Sequence, residues 1–232
     1  LAKKFKKEKI YAITSNPNSE LASLASNTYI LQSGKEKAVA ATKSIVEQSL
    51  VLEDLIKYLS TEGEISKKEM KEVDRAMKKN LNLPIDPRLT MAIAGASTVY
   101  FVGGSTGIGE EVALKFNELA KKKSKFIPGT QILHGSEEVI EKGDVVFLLF
   151  ADKYRDYADR FKQMKDKTGC IFITIGGDWT SADVRTNLEL VSGYKPYCYL
   201  AYFWNILTKY AVLRGYSLDK ADKIAKVGVG VK

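Results

Sequence analysis

Short apolar runs alternate with stretches of helical periodicity along this chain. Mostly apolar runs predict strands at residues 10–14, 29–32, 99–102, 145–150 and 171–175. Apolar residues at helical spacing, or charged stretches with a capping residue, predict helices at residues 36–59, 67–80, 88–96, 108–122, 154–167 and 197–213. Continuously apolar strands that alternate with helices are typical of a parallel sheet covered by helices. The pattern therefore predicts an α/β fold.

A turn-rich segment interrupts this alternation at residues 80–87, where two prolines and two asparagines fall within eight positions. Such a cluster is typical of a connection between folded parts. We therefore predict a boundary there, with residues 1–82 belonging to a first part of the protein and residues 83–232 to a second.

The amino-acid composition argues against several classes of protein and of binding site. The 232 residues are 45% apolar and 28% charged, as in ordinary folded proteins. No apolar run approaches the length of a membrane-spanning helix. With so few cysteines, the cytoplasm is the predicted location. Two cysteines and one histidine give neither a disulfide framework nor a zinc site, and no other metal or cofactor site is predicted. The net charge of +8 favours anionic small molecules, because no nucleic-acid-binding motif accompanies it.

A glycine-rich loop, Val-Gly-Gly-Ser-Thr-Gly-Ile-Gly, occupies residues 102–109. It follows a predicted strand and opens a helix, where free N–H groups favour a phosphate. The loop is similar to the cofactor loop of short-chain dehydrogenases, and Tyr216 and Lys220 have the spacing of that family's catalytic pair. We reject that interpretation because residues 221–232 are too few to complete such a fold. The loop is either a tight turn that binds nothing or part of a phosphosugar site.

Charged residues form a second stripe on the predicted helix that follows the loop. Its core stripe consists of Ile108, Val112, Phe116 and Leu119. Glu111, Lys115 and Glu118 recur at i, i+4 and i+7, roughly 100° around the helix from that stripe. This stripe is either a solvated ion-pair face or a carboxylate base beside an ammonium at the edge of a cleft.

The chain has a single histidine, His134, in a Leu-His-Gly segment. Its ordinary pKa, near 6.5, makes it the one side chain suited to shuttle protons at neutral pH, although a lone histidine is more often structural. Lys226 lies in the C-terminal tail, and composition alone does not distinguish it from the other lysines.

Four segments resemble, in order, the motifs of the sugar isomerase (SIS) family. Residues 33–43, running on to Gln48, are similar to Gly-x-Glu-x-x-Val-Ala-Ser-Thr-Lys…Gln, and residues 111–118 are similar to Glu-Gly-Ala-Leu-Lys-x-Lys-Glu. His134-Gly135 is similar to His-Gly-Pro, and residues 219–226 are similar to Asp-x-Pro-Arg-Asn-Leu-Ala-Lys. Within the family, the chain looks most like the isomerase domains of glucosamine-6-phosphate synthases.

The resemblance implies a fold and an assembly. It implies flavodoxin-like, three-layer SIS lobes with parallel sheets, two in tandem, of which the first is incomplete. Residues 1–82 would then be the C-terminal part of the first lobe with its connecting helices, and residues 83–232 would be the second lobe with the tail. It also implies a homodimer in which the histidine reaches a neighbouring subunit's site, and neither a metal nor an organic cofactor.

The resemblance also implies roles for individual residues. Glu118 would be the base that moves a proton between C1 and C2 of the sugar. His134 would assist ring opening, and Lys226 would act on the open-chain carbonyl. The substrate-binding residues would be Glu36, Val39, Ala41 and Thr42 of the first lobe, Gly104, Ser105, Glu111 and Lys115 of the second, and Ala225 of the tail.

The chain also departs from the family pattern. The family's phosphate-binding Ser-x-Ser-Gly-x-Thr loop is absent, and the first residue is Leu rather than Met, so we expect an N-terminal part of the first lobe to be missing. Ala41 stands in place of a serine, Ser136 in place of a proline, and residues 221–223 in place of Pro-Arg-Asn. No N-terminal glutaminase cysteine is present.

Together these features predict an aldose–ketose isomerase that acts on hexose phosphates of the fructose 6-phosphate or glucosamine 6-phosphate type. Two alternatives stay open at this point. One is an amino-sugar phosphate deaminase or deglycase, and the other is a non-catalytic phosphosugar-binding module with a regulatory role.

Overall fold

The computed structural model describes residues 9–34, 36, 38, 40–60, 63–104, 106–219 and 223. The described residues up to Lys67 belong to one compact unit, and Lys68–Leu218 form a second. The division between Lys67 and Lys68 lies 15 residues before the boundary that the sequence predicted, which fell between residues 82 and 83. The assignment of two tandem lobes stays a prediction.

The first unit contains a small parallel β-pair and a long helix. Its elements are β1 (Tyr11–Thr14), α1 (Glu20–Leu24), β2 (Asn27–Ile30) and α2 (Lys43–Leu59). Strands β1 and β2 pair in parallel from Tyr11 opposite Asn27 to Thr14 opposite Ile30. The Ser19 side chain caps α1 by accepting a hydrogen bond from the Ala22 N–H at 3.2 Å.

Helix α2 begins at Lys43, seven residues later than the sequence predicted. The preceding segment bends at Gly34, which has a φ of +68°. Glu36 then folds back onto the start of the helix, where its carboxylate accepts hydrogen bonds from the N–H groups of Thr42 and Lys43. Apolar spacing could not reveal this, because the cap acts through one side chain rather than through periodicity.

The second unit is a parallel five-stranded sheet with helices on both faces. Its elements are α3 (Lys67–Leu81), α4 (Pro87–Gly95), β3 (Thr98–Gly103), α5 (Thr106–Glu118), β4 (Lys123–Pro128), β5 (Val145–Leu149), α6 (Ala158–Thr168), β6 (Ile171–Ile175), β7 (Val184–Thr186) and α7 (Lys195–Leu213). The strand order is β4-β3-β5-β6-β7, and all neighbours pair in parallel. This order is that of flavodoxin-like, doubly wound folds, so the predicted α/β fold class is confirmed.

Two hydrophobic clusters cover the two faces of this sheet. Alternate residues of β3 divide between them: Val99 and Phe101 face α4, α5 and α7, whereas Tyr100 and Val102 face α6. The aromatic helix α7 belongs to the core of the second unit. Its Tyr199, Tyr202 and Phe203 side chains are almost completely buried against the first cluster.

The sequence missed two edge strands, β4 and β7. In β4 the exposed Lys123 and Lys125 alternate with partly buried residues, because an edge strand covers only part of its surface. Strand β7 has three residues, which is too short for a periodic signal. Helix α5 ends at Glu118, four residues earlier than predicted, and a 3₁₀ segment (Ala151–Tyr157) precedes α6. Among the described residues, no helix is long and apolar enough to span a bilayer.

Candidate active site

The charged stripe of α5 forms a largely buried ion cluster. The Lys115 side chain is only 3% exposed, and its Nζ lies 2.9 Å from Glu118 Oε2 and 3.3 Å from Glu111 Oε1. The Glu111 and Glu118 side chains are 15% and 20% exposed. The Lys115 ammonium is therefore not part of a fully solvated ion-pair face, and a catalytic role for the two carboxylates stays a prediction.

The two carboxylates of this cluster are not equivalent. Lys115 donates a hydrogen bond to Glu118, whereas the buried Glu111 Oε1 has no hydrogen-bond partner in the described part of the chain. Lys115 therefore interacts with Glu111 at a longer distance than with Glu118. Burial raises the pKa of the Glu111 carboxyl, the charge on Glu118 raises it further, and Lys115 offsets only part of the rise.

Aromatic packing fixes the helix that carries the cluster. On its core side, Phe116 is completely buried, with its ring centroid 4.8 Å from that of Phe101 and 6.2 Å from that of Phe147. Val112 lies one turn earlier and is 1% exposed. Because this face cannot rotate without breaking the aromatic contacts, the charged stripe is held at a fixed angle to the core.

The glycine loop lies at the other end of α5, where β3 and β5 leave the sheet. Gly103 has a φ of +118°, and a Cβ there would lie 2.5 Å from the Leu149 carbonyl oxygen. A Cβ on Gly104 would lie 3.2 Å from Tyr154 Oη. Close packing therefore accounts for both glycines, and Ser105 lies outside the described residues. The position between β3 and β5 is the topological switch point of this fold, where doubly wound proteins commonly bind ligands.

The structure does not bring Gly104 and Glu118 together. Lys123, five residues beyond the last residue of α5, pairs with Thr98 at the amino edge of the sheet, whereas Gly104 follows the carboxyl end of β3. Thr106 and Glu118 are separated by about 18 Å along the helix axis, at 1.5 Å per residue. This distance is too long for one hexose phosphate to contact both ends.

His134 is also remote from Glu118 within one chain. It follows a 3₁₀ turn (Gln131–Leu133) beyond the carboxyl end of β4, and it is exposed. Leu133 is buried in the cluster on the α6 face, and its carbonyl accepts a hydrogen bond from Arg160 at 3.1 Å. Since α5 packs on the opposite face, His134 and the α5 cluster differ both in face and in edge of the sheet.

Glu36 and Thr42, predicted from the first unit, contact each other at the start of α2. Glu36 is 9% exposed, and its Oε1 accepts hydrogen bonds from the Thr42 N–H (2.7 Å), the Thr42 hydroxyl (2.9 Å) and the Lys43 N–H (3.1 Å). The Ser44 hydroxyl donates to Glu36 Oε2 at 2.5 Å. Burial would raise the pKa of Glu36, but the hydrogen bonds from Ser44, Thr42 and Lys43 outweigh it and lower that pKa. Glu36 therefore caps α2 as a carboxylate.

The sequence did not point to Ser44, because the spacing from Glu36 matches no regular period. Ala41 lies in the same segment and is half-buried. The remaining predicted residues, Val39, Ala225 and Lys226, lie outside the described residues, as does Lys220. Within the described residues, no group of three or more His, Cys, Asp or Glu side chains could hold a metal ion.

Two comparisons relate this chain to known proteins. A glutamine–fructose-6-phosphate aminotransferase (isomerizing) of Aeropyrum pernix is 24% identical over 238 aligned positions, covering 94% of this chain and 38% of that protein. The C-terminal domain of glucosamine-fructose-6-phosphate aminotransferase from Francisella tularensis superposes with a TM-score of 0.77 at 18% identity, covering 94% of this chain and 68% of that one. Tagatose-6-phosphate ketose/aldose isomerase from Escherichia coli superposes with a TM-score of 0.70 at 16% identity, covering 96% and 65%.

These similarities confirm the resemblance to the sugar isomerase family that the motifs predicted. No family model matches the chain. The chain spans less than two-fifths of the length of the Aeropyrum relative.

Proposed function

We propose, from the similarity of this chain to sugar isomerase proteins, that it is a sugar-phosphate isomerase that interconverts aldose and ketose hexose phosphates. Its substrates are of the fructose 6-phosphate or glucosamine 6-phosphate type. One observation carries the proposal: Lys115 is buried between Glu111 and Glu118 on a helix fixed by aromatic packing. A buried, unevenly paired carboxylate cluster is the kind of site in which proton transfer is arranged.

In the proposed reaction, the Glu118 carboxylate removes the proton from C2 of the open-chain aldose. The C–H electron pair forms the C1–C2 double bond, and the C1 carbonyl oxygen takes up a proton, which gives the enediol. The C2 hydroxyl then loses its proton and becomes the carbonyl while Glu118 returns a proton to C1, so the ketose forms and the protons balance. Lys115 orients Glu118 and supplies a positive charge near the developing oxyanion. Glu111 lies in the same cluster, where burial raises the pKa of its carboxyl.

We further propose that a second copy of the chain completes the site. His134 is suited to ring opening, but it lies on the other face of the sheet from the α5 cluster of its own chain. A symmetric dimer would let His134 of one protomer serve the cluster of its partner. Lys226 would act at the open-chain carbonyl, as the resemblance implies.

The test is exchange of carbon-bound sugar protons with deuterated solvent, followed by NMR. The exchanging proton is on C2 of glucose 6-phosphate and glucosamine 6-phosphate, and on C1 of fructose 6-phosphate. Glu118→Gln should slow exchange by at least about 100-fold, the usual contribution of a positioned base. Glu110→Gln is the matched control, because Glu110 is exposed on the same helix, and it should exchange at the wild-type rate. Full exchange in Glu118→Gln would contradict the proposal. Saturable binding without exchange would favour a phosphosugar-binding module.

A further inference from the structure

One side of α5 faces the edge strand β4, and it differs from both the core stripe and the charged stripe. Gly109, Ala113 and Asn117 recur there at i, i+4 and i+8. At roughly 100° per residue, this side lies opposite the charged stripe. On β4, Ser124 and Phe126 are two residues apart, so their side chains leave the strand on one face. Contacts between these two sets fix the rotation of α5, and with it the direction of the charged stripe.

Near the start of α5 the contact with β4 is aromatic. A Cβ on Gly109 would overlap the Phe126 ring, so glycine is what lets this ring lie directly on the helix backbone. Phe126 pairs in register with Phe101 of β3, and the Phe101 ring contacts Phe116 of α5 at a centroid distance of 4.8 Å. Aromatic rings therefore pack the helix against both strands.

In the last turn of α5 the contact with β4 is polar. The Asn117 amide Nδ2 donates to the Ala113 carbonyl at 3.1 Å and to the Ser124 carbonyl at 3.3 Å. The Asn117 Oδ1 accepts the Ser124 N–H at 3.1 Å, and the Ser124 hydroxyl donates to the Ala113 carbonyl at 2.6 Å. One side chain thus bonds both backbone groups of Ser124 and ties the end of the helix to the strand.

This Asn117 bridge lies next to the residue proposed as the base. Glu118 follows Asn117 and is the last residue of α5, where helices ordinarily fray. The Leu119 N–H donates to the Lys115 carbonyl at 2.8 Å, which keeps the final turn closed. Asn117 holds this turn on the β4 side, while the buried Phe116 holds it on the core side. The position of the Glu118 carboxylate therefore depends on the Asn117 bridge.

The chemistry of the Asn117 bridge is specific to a side chain that both donates and accepts. Asn117 stands where the sugar isomerase motif has a lysine. A lysine ammonium donates hydrogen bonds but accepts none, so it could not pair with the Ser124 N–H. Because Asn117 is exposed, its replacement by alanine removes these bonds without opening a cavity in the core.

We infer that Asn117 is a positioning residue for the proposed isomerisation. Through its bonds to β4 it fixes the last turn of α5, and it thereby places the Glu118 carboxylate where that group removes the sugar proton. Asn117 acts through Glu118 rather than by touching the sugar, because its side chain is bonded to β4, away from the charged stripe. Misplacement of a reacting group by about 1 Å can slow a reaction about 100-fold. The inference rests on the proposed function, because Glu118 is the base of that reaction.

The test compares Asn117→Ala with a matched control, Asn82→Ala. Asn82 is exposed, and its amide likewise donates to the carbonyl four residues earlier, that of Lys78, at 2.7 Å. The rate of C2 proton exchange on glucose 6-phosphate is measured against sugar concentration. Asn117→Ala should lower kcat at least about tenfold and leave KM within about twofold, because placement of the base is lost and sugar binding is not. Asn82→Ala should match the wild type.

A second arm separates positioning from a general weakening of the fold. In the Glu118→Gln background, Asn117→Ala should cause no further loss of the residual exchange, because a residue that acts through Glu118 then has no base to position. A further loss would show a general structural role and would overturn the inference. Where Asn117→Ala does not fold, Ser124→Ala removes the hydroxyl bond to Ala113 and should lower kcat, by less, at unchanged KM. A wild-type kcat in that variant would likewise overturn the inference.

The failure of this inference and the failure of the proposed function give different results. If Glu118→Gln stops exchange but Asn117→Ala keeps the wild-type kcat, or raises KM instead, the proposed function stands and the positioning role is wrong. If Glu118→Gln keeps full exchange, the proposed function is wrong, and the positioning role of Asn117 is wrong with it.

Discussion

Glu36 in the first unit and Glu111 in the second are both largely buried glutamates in family-like motifs, yet their environments are opposite. Glu36 accepts hydrogen bonds from the backbone and hydroxyl groups at the start of α2, which lower its pKa. Glu111 has a buried oxygen without a hydrogen bond among the described residues, and its pKa is raised.

The difference shows that the burial of a glutamate does not by itself indicate the direction of its pKa shift or its role. A carboxylate surrounded by N–H and O–H donors at a helix N-terminus is stabilised in its charged form and serves the fold. A carboxylate that shares one ammonium with a second carboxylate is underpaired and available for proton exchange. The chemistry of the chain is therefore expected on α5, whereas Glu36 organises the loop before α2.

The largest expected effect is on Lys115. Lys115→Met fills a similar volume but leaves two largely buried carboxylates without their shared cation. Removing one partner from a buried ion pair should lower the free energy of unfolding by about 3 kcal/mol. Lys43→Met is the matched control, because Lys43 is exposed and its Nζ donates to the Ser33 carbonyl. Urea unfolding of both variants measures the contrast, and equal losses would contradict the distinction between the two regions.

A smaller effect is expected at Glu36. Glu36→Ala removes the acceptor for the first N–H groups of α2 and for the Thr42 and Ser44 hydroxyls. Loss of a helix cap should cost about 1–2 kcal/mol. Hydrogen exchange of the α2 amides should accelerate, while amides of β3 and β5 keep their protection. Faster exchange in the second unit would mean that Glu36 does more than cap its own helix.

The smallest expected effect is on the pH dependence of the free energy of unfolding, to which Glu111 and Glu36 should contribute with opposite sign. Glu111 has a raised pKa in the folded state, so its contribution to stability is full below the ordinary value of 4.5 and is lost as pH rises through the raised value. Glu36 has a lowered pKa, so its contribution is present above 4.5 and is lost as pH falls through the lowered value.

Stability measured against pH tests these signs. Glu111→Gln should flatten the profile on the alkaline side of 4.5, and Glu36→Gln should flatten it on the acidic side. Flattening on the same side in both variants would show that the two carboxyls do not differ in the way described.

The sequence predicted the parts of this molecule in which one pattern dominates. The predictions of the continuously apolar strands β5 and β6 and of the aromatic helix α7 were correct. Burial on all sides gives these elements a strong hydrophobic pattern in the sequence. The late start of α2 and the edge strand β4 were not predicted. A cap formed by one side chain and a strand covered on part of its surface leave little hydrophobic periodicity in the sequence.

The sequence likewise predicted one part of the candidate site and not the rest. The helical spacing correctly grouped Glu111, Lys115 and Glu118, because i, i+4 and i+7 fix three side chains on one surface. It could not show that Gly104 lies at the far end of the same helix or that His134 lies on the other face of the sheet. Those relations depend on which strands pair and on which side each helix crosses.

The most direct test of the proposed composite site mixes two variants, Glu118→Gln and His134→Ala, each of which should be inactive alone. If the base and the histidine come from different copies of the chain, half of the dimers in an equal mixture are mixed, and each has one complete site. Sugar C2 proton exchange should then recover to about a quarter of the wild-type rate, as expected for a twofold-symmetric dimer. A mixture that forms mixed dimers but recovers no exchange would contradict the proposed composite site.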